Sequence, residues 1–176
     1  MSRHRFPSLL LAPALLLTLF GACRAGAQTK FTLSNAYLDS GSSVHILYSD
    51  GAQVQPRKEK GQASCEALKV AEDKETVGWL VDFENDGTSY ALSLIVFREK
   101  KVLQRFGDSD VDVIEDWQFR AGGKQVAFVT NALHGGGRAH YELHDVEKGT
   151  LLAKWDGPLS ERSPAWTRGL WDEDAQ

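Results

Sequence analysis

The feature that most constrains this chain of 176 residues is an internal repeat with a period of 49 positions. Residues 66–106, moved along by 49 positions, align with 115–155 without a gap. Few residues are identical, but the bulky apolar positions recur as Leu68/Trp117, Val70/Phe119, Trp79/Phe128, Leu92/Tyr141, Val102/Leu151 and Phe106/Trp155. Periods of about 40–50 residues with alternating apolar positions are typical of β-propeller blades. The repeat therefore predicts blade-like sheets.

Each copy predicts four short antiparallel strands. In the first copy they cover about 66–71, 75–82, 90–98 and 101–106, and in the second copy the same ranges recur 49 positions later. The runs 77–81 and 126–129 are rich in residues that favour strands. Gly122-Gly123 and the segment 147–149 mark tight turns between them.

The second copy carries the motif of a known family. Trp117 and Phe119 are followed by the Gly-Gly-Lys-Gln-Val-Ala-Phe segment at 122–128 and by the segment 141–149. This pattern, over residues 113–157, resembles the blade repeat of TolB-like (WD40-like) β-propellers. The resemblance implies the strand pairs of a blade and no particular activity, because such blades occur in proteins with unrelated functions.

The number of repeats argues against a closed ring in one chain. Residues 28–176 hold about three periods of 49, whereas propellers have about four to eight blades. Residues 44–54 match the outer half of a preceding blade, and residues 163–171 fit either a helix or another inner strand. We therefore predict an all-β single domain of antiparallel, propeller-blade-like four-stranded repeats, about three blade equivalents, in an open assembly. A dimeric six-blade ring is the alternative.

The N-terminal segment has the pattern of an export signal. Arg3 and Arg5 precede a mostly apolar run at 8–20, which is shorter than the about 20 residues that span a bilayer. An Ala-Gly-Ala triplet at 25–27 predicts removal of residues 1–27, with Gln28 as the mature N-terminus. The protein would then be periplasmic or secreted.

A second cleavage site competes with the first. The Gly-Ala-Cys segment at 21–23 resembles a bacterial lipobox, in which residues 1–22 are removed and Cys23 is lipidated. The protein would then be an envelope lipoprotein that contacts the membrane only through its lipid anchor.

Charge and cysteine content exclude several classes of protein. With 20 basic and 24 acidic residues, the chain lacks the basic surface of a nucleic-acid binder. After removal of residues 1–27 only Cys65 is left, so the mature chain forms no internal disulfide. The apolar pattern around Cys65 predicts a buried structural thiol.

One group of residues has metal-binding side chains at a suggestive spacing. His140, Glu142 and His144 share one face of the predicted strand, because strand side chains alternate. The two histidines would be about 13 Å apart, too far to share one ion. His140 and Glu142, with His134 from the glycine-rich loop, form the candidate metal site; the alternative for this strand is a solvated polar face.

A second stretch is superficially like a calcium loop. Asp82, Glu84 and Asp86 alternate before Gly87, but the bidentate Glu of an EF-hand is absent at the twelfth position. The Asp86-Gly87 pair is also a strong β-hairpin signal. We therefore interpret this stretch as a hairpin turn.

The sequence favours a non-enzymatic function. It contains no nucleophile motif, and no cofactor-binding pattern is evident. We expect an exported interaction or structural module that contacts a protein partner, or itself, through sheet edges. A metal-binding protein or metal-dependent hydrolase using His134, His140, Glu142 and His144 is one alternative. A small-ligand binder using the loop at 131–140 is another.

Overall fold

A computed structural model describes residues 31–107, 112–133 and 137–170. The described chain is all-β, apart from two short 3-10 turns, and its strands form three antiparallel sheets. The predicted cleavage sites, Cys23 and His134 lie outside the described residues. In the described residues no helix is long and apolar enough to cross a membrane.

The first sheet has three strands, β1 (Leu33–Leu38), β2 (Val44–Tyr48) and β3 (Gln53–Val54), in that order. The apolar alternation of Val44, Ile46 and Tyr48 buries one face of β2. The predicted outer half of a preceding blade is therefore present as β2 and β3. Strand β1 was not predicted, and its residues are mostly exposed or half-buried.

The two predicted repeats each form a four-stranded antiparallel sheet in which consecutive strands are neighbours. The second sheet contains β4 (Gln62–Val70), β5 (Thr76–Asn85), β6 (Thr88–Arg98) and β7 (Lys101–Phe106). The third sheet contains β8 (Asp112–Arg120), β9 (Gln125–Ala132), β10 (His140–Asp145) and β11 (Leu151–Asp156). The predicted strands are confirmed, with boundaries that differ by a few residues.

Apolar side chains form a core between each pair of consecutive sheets. The core between the first and second sheets includes Val77, Trp79 and Phe97, together with Val44, Ile46 and Tyr48 of β2. The core between the second and third sheets contains the residues 49 positions later, Val126, Phe128 and Val146. The 49-residue period therefore corresponds to equivalent packing. In each repeat, the residues at the same positions pack against the preceding sheet. The described sheets form an open series and no closed ring.

The C-terminal segment 157–170 covers the other face of the third sheet. Leu170 is buried against Val129, Tyr141 and Leu143, with Leu159 and Trp166 packed around the same cluster. The Arg120 guanidinium of β8 donates hydrogen bonds to the carbonyl oxygens of Trp166, at 2.9 Å, and of Arg168. Around Trp166 the chain forms a 3-10 turn, Ala165–Thr167, and is neither an α-helix nor a strand. This segment lies where a further blade would pack.

Candidate functional site

Strand β10 presents a polar face to one side and an apolar face to the other. Tyr141 and Leu143 are buried in the core under the C-terminal segment. His140, Glu142 and His144 lie on the opposite face, as the alternation predicted. We call these three residues the His–Glu–His ladder.

Glu142 links the two histidines of the ladder. His144 Nε2 lies 2.7 Å from Glu142 Oε2, and His140 Nε2 lies 3.1 Å from Glu142 Oε1. The Nδ1 atom of His140 is hydrogen-bonded to Asp156, its cross-strand neighbour on β11. Both carboxylate oxygens of Glu142, the Nε2 atoms of both histidines and Nδ1 of His140 therefore each have a hydrogen-bond partner within the third sheet. Sequence reasoning missed Asp156, because its contribution depends on the register between β10 and β11.

One end of the ladder is inserted between two sheets. The His144 ring is stacked on Phe128, with centroids 5.3 Å apart and planes at 14°, and lies 4.9 Å from the Phe106 ring. His144 occupies the position that Ile95 holds in the first copy, where Ile95 is part of an apolar core. The polar side chain is tolerated at this place because Glu142 satisfies its Nε2 atom. His140 lies at the more exposed end of the ladder.

The hydrogen bonds of the ladder stabilise its charged form. The hydrogen bond from His144, followed by that from His140, lowers the pKa of Glu142 although burial opposes this. Burial alone would lower the pKa of His140, but its hydrogen bonds to Asp156 and Glu142 outweigh this effect and raise it. A carboxylate and an imidazolium in direct contact each favour the ionised state of the other.

We expect Glu142 and His140 to stabilise the fold most between about pH 4.5 and 6.5, the ordinary pKa values of these two side chains. The contribution of Glu142 is lost as pH falls through its lowered folded-state pKa. The contribution of His140 is lost as pH rises through its raised folded-state pKa. Thermal melts of the wild type from pH 4 to 8, compared with Glu142→Gln, test this.

Glu142→Gln is expected to flatten the pH dependence of the melting temperature in that window. The matched control is Glu84→Gln, which removes an exposed carboxylate from β5 and leaves the ladder intact. If Glu142→Gln and the wild type show the same dependence of melting temperature on pH, the ladder has no role in stability.

The ladder does not converge on one point. Among the described residues, no three His, Cys, Asp or Glu side chains are placed so that they could hold a metal ion. His140 and Glu142 of the predicted metal set are hydrogen-bonded to each other. His134, the third member, lies outside the described residues, and a metal site that includes it stays a prediction. The same holds for a ligand site in the loop at 131–140.

The calcium-like stretch forms the predicted hairpin. Asp86 and Gly87 join β5 to β6 with φ values of 51° and 78°, as a type I′ turn requires. Glu84 and Asp86 are exposed, whereas Asp82 is buried and accepts a hydrogen bond from the Ser64 hydroxyl. The three carboxylates are therefore in different environments.

Cys65 is the buried thiol that the sequence predicted. Its side chain is part of the core between the first and second sheets, and Gln62 Nε2 lies 2.9 Å from its Sγ. Burial, and then the charge of Asp82, raise the pKa of the thiol to about 11. A thiol with this pKa is protonated at neutral pH and is a poor nucleophile.

No family model matches the chain, and no curated protein matches it. Among solved structures, the chain is similar to one titled "Structure of Dos1 propeller", with a TM-score of 0.41 and 9% identity. The similarity covers 70% of this chain and 37% of that chain, so this chain spans little more than a third of that propeller's length. The assignment as an open series of three antiparallel blade-like sheets rests on the strand order and cores described above.

Proposed function

We propose that this protein is a non-enzymatic β-repeat module, exported to the bacterial envelope, that acts through contacts with another protein. The observation that carries this proposal is a set of exposed apolar side chains on the outermost strands. Val102 of β7 is 53% exposed, and Leu151 and Leu152 of β11 are 49% and 47% exposed. Val102 and Leu151 hold the same position in the two repeats. The likeness of residues 113–157 to TolB-like blades supports a repeat module and does not specify a partner.

Strand β11 is the better candidate for a contact surface. Among the strands that the structure describes, β7 and β11 each end their sheet and pair with a strand on one side only. At β7, however, the Gln104 amide donates to the carbonyl oxygen of Glu147 in the turn between β10 and β11. An open sheet edge with apolar side chains is suited to binding an extended strand of another chain, because the free backbone groups supply the hydrogen bonds.

The double variant Leu151→Lys/Leu152→Lys tests this surface. We expect it to lose a partner that the wild-type mature protein retains in affinity purification from the native envelope, or to lose self-association in light scattering. Its melting temperature should stay close to that of the wild type, because exposed substitutions change stability by about 0.5 kcal/mol. The matched control is Val70→Lys, which replaces a valine that is 42% exposed on β4.

Identical partners for the double variant, the control and the wild type would contradict the contact surface. Robust turnover by the purified mature protein in a hydrolase screen would contradict the non-enzymatic part of the proposal.

Export is tested separately by mass spectrometry of the mature N-terminus. An N-terminus at Gln28 supports a periplasmic or secreted protein. A lipid-modified Cys23 supports an envelope lipoprotein, and Cys23→Ala should then move the protein from the membrane to the soluble fraction. Multiple acyl chains are what make such anchoring stable, since a single chain binds a bilayer only marginally. An uncleaved N-terminus would contradict export by either route.

A further inference from the structure

Strand β1 has one free edge. Because β2 lies 49 positions before residues 93–97 of β6, β1 corresponds to β5 in the second sheet. Strand β5 pairs with β4 on one side and with β6 on the other, whereas β1 pairs only with β2 among the described strands. At the start of β1 the N–H of Leu33 donates to the carbonyl oxygen of Lys74, at 2.7 Å. The free edge therefore begins after Leu33.

The backbone groups of Ala36 and Leu38 point to this free edge. Just beyond the strand, the N–H of Asp39 donates to the carbonyl oxygen of Ser43 on the β2 side of the turn, at 3.0 Å. Hydrogen-bonded and non-hydrogen-bonded pairs alternate along an antiparallel ladder, so Tyr37 is hydrogen-bonded to β2 and its two neighbours are not. The N–H and C=O groups of Ala36 and Leu38 therefore lie on the side away from β2.

Strand β1 also lacks the side chains that keep edge strands from pairing. Natural edge strands are commonly protected by charged residues or by proline. In the described sheets the other end strands contain charged residues, except β3, which is only two residues long. The six residues of β1 include no charge and no proline, and Ser34, Asn35 and Tyr37 are exposed. The register shift in β1 lies between Leu33 and Asn35, before the free residues.

We propose that β1 pairs with β1 of a second copy of this chain, antiparallel and about a twofold axis at Tyr37. Ala36 of each copy then lies opposite Leu38 of the other, and the free N–H and C=O groups of both residues form hydrogen bonds across the axis. This pairing uses no residue of β11 and does not depend on the proposed contact surface there.

A second copy fits this edge because β1 is complementary to itself. Its two outward residues are two positions apart, so an axis through the residue between them pairs each with the other. The Ala36 and Leu38 side chains pack on the core between the first and second sheets, and pairing continues this apolar face across the axis. Tyr37 is 42% exposed on the opposite face, where its ring is stacked on His45 with centroids 5.1 Å apart. The two Tyr37 rings would form a cross-strand aromatic pair.

A charge exchange at Tyr37 tests the pairing. We expect the wild-type mature protein to sediment as a dimer, and Tyr37→Lys and Tyr37→Glu each to weaken dimerisation at least about tenfold, because like charges would lie directly opposite. An equimolar mixture of the two variants should regain a dimer through the opposite charges. The matched control is Val102→Lys, on the edge strand β7, which should dimerise like the wild type.

A cysteine at the axis tests the register. Residues opposite each other in a non-hydrogen-bonded pair have Cα atoms about 4.5 Å apart, within the range of a disulfide. With oxidised glutathione, Tyr37→Cys should form a covalent dimer at least about tenfold faster than the control Val102→Cys. Cys65 is buried, so the wild type should not form this bond.

The mass of a single chain for the wild type at every concentration up to about 1 mM would overturn the pairing. So would a dimer that Tyr37→Lys leaves intact, a mixture of the two charge variants that stays monomeric, or equally fast cross-linking of the two cysteine variants. The variant Leu151→Lys/Leu152→Lys should keep this dimer, so a failure of the contact surface on β11 is distinguishable from a failure here. Loss of the dimer in that variant would place the contact on β11 and overturn the pairing of β1.

Discussion

Replacing Trp79 or Phe128 by alanine is expected to lower the free energy of unfolding by about 3–5 kcal/mol, the usual cost of truncating a buried aromatic side chain. The two residues are 49 positions apart, and each is 3% exposed. Trp79 packs between the first and second sheets, and Phe128 packs between the second and third. Such a loss is a large part of a typical stability of about 5–15 kcal/mol. Urea denaturation of the two variants measures it.

The two losses should be of similar size, because the repeat places both rings against the preceding sheet. Leu152→Ala is the matched control on an exposed strand and should change the stability by about 0.5 kcal/mol or less. A large loss at one aromatic position together with a negligible loss at the other would mean that the two copies are not equivalent blades.

Gly78→Ala is expected to destabilise the protein by about 1–3 kcal/mol, the usual cost of adding atoms to a filled core. A Cβ atom at Gly78 would lie 2.7 Å from Cη2 of Trp117 and 3.0 Å from the carbonyl oxygen of Ile95. Trp117 is fully buried, so it has no room to move aside. Denaturation of the variant, with tryptophan fluorescence as the signal, measures both the loss and any displacement of the ring.

Gly41→Ala is the matched control for this substitution. A Cβ atom at Gly41 would meet only the Asp39 side chain, at 3.4 Å, on an exposed turn. The control should therefore stay within about 0.5 kcal/mol of the wild type. A Gly78→Ala variant as stable as the control would show that the sheets can move apart, and would contradict a tightly packed core at Trp117.

The candidate site was predictable only in part. Strand periodicity was enough to place His140, Glu142 and His144 on one face of β10. The hydrogen bond from His140 to Asp156 depends on the register between β10 and β11, and the stacking of His144 on Phe128 depends on how two sheets meet. Neither arrangement has a local signature.

The sequence by itself determined the strand order and the faces of the two repeats. Alternating apolar residues must be buried on one side of a strand, and a shift of one position would expose all of them. For that reason the 49-residue period predicted which positions carry bulky apolar side chains in both repeats. The structure places equivalent residues such as Trp79 and Phe128 in two successive cores. The Asp86-Gly87 turn was predictable as well, because few residue pairs adopt positive φ values readily.

Only the tertiary structure shows which segments lie at the two ends of the series of sheets. At β1 a weakly apolar segment becomes a strand because β2 offers its hydrogen-bonding edge. At the other end, Arg120 and the apolar cluster around Leu170 hold segment 157–170 over the third sheet. The same repeat position is Gly78 in one copy and Ala127 in the other, because Trp117 fills the space above Gly78. These outcomes depend on contacts between residues far apart in the chain, which a local pattern does not encode.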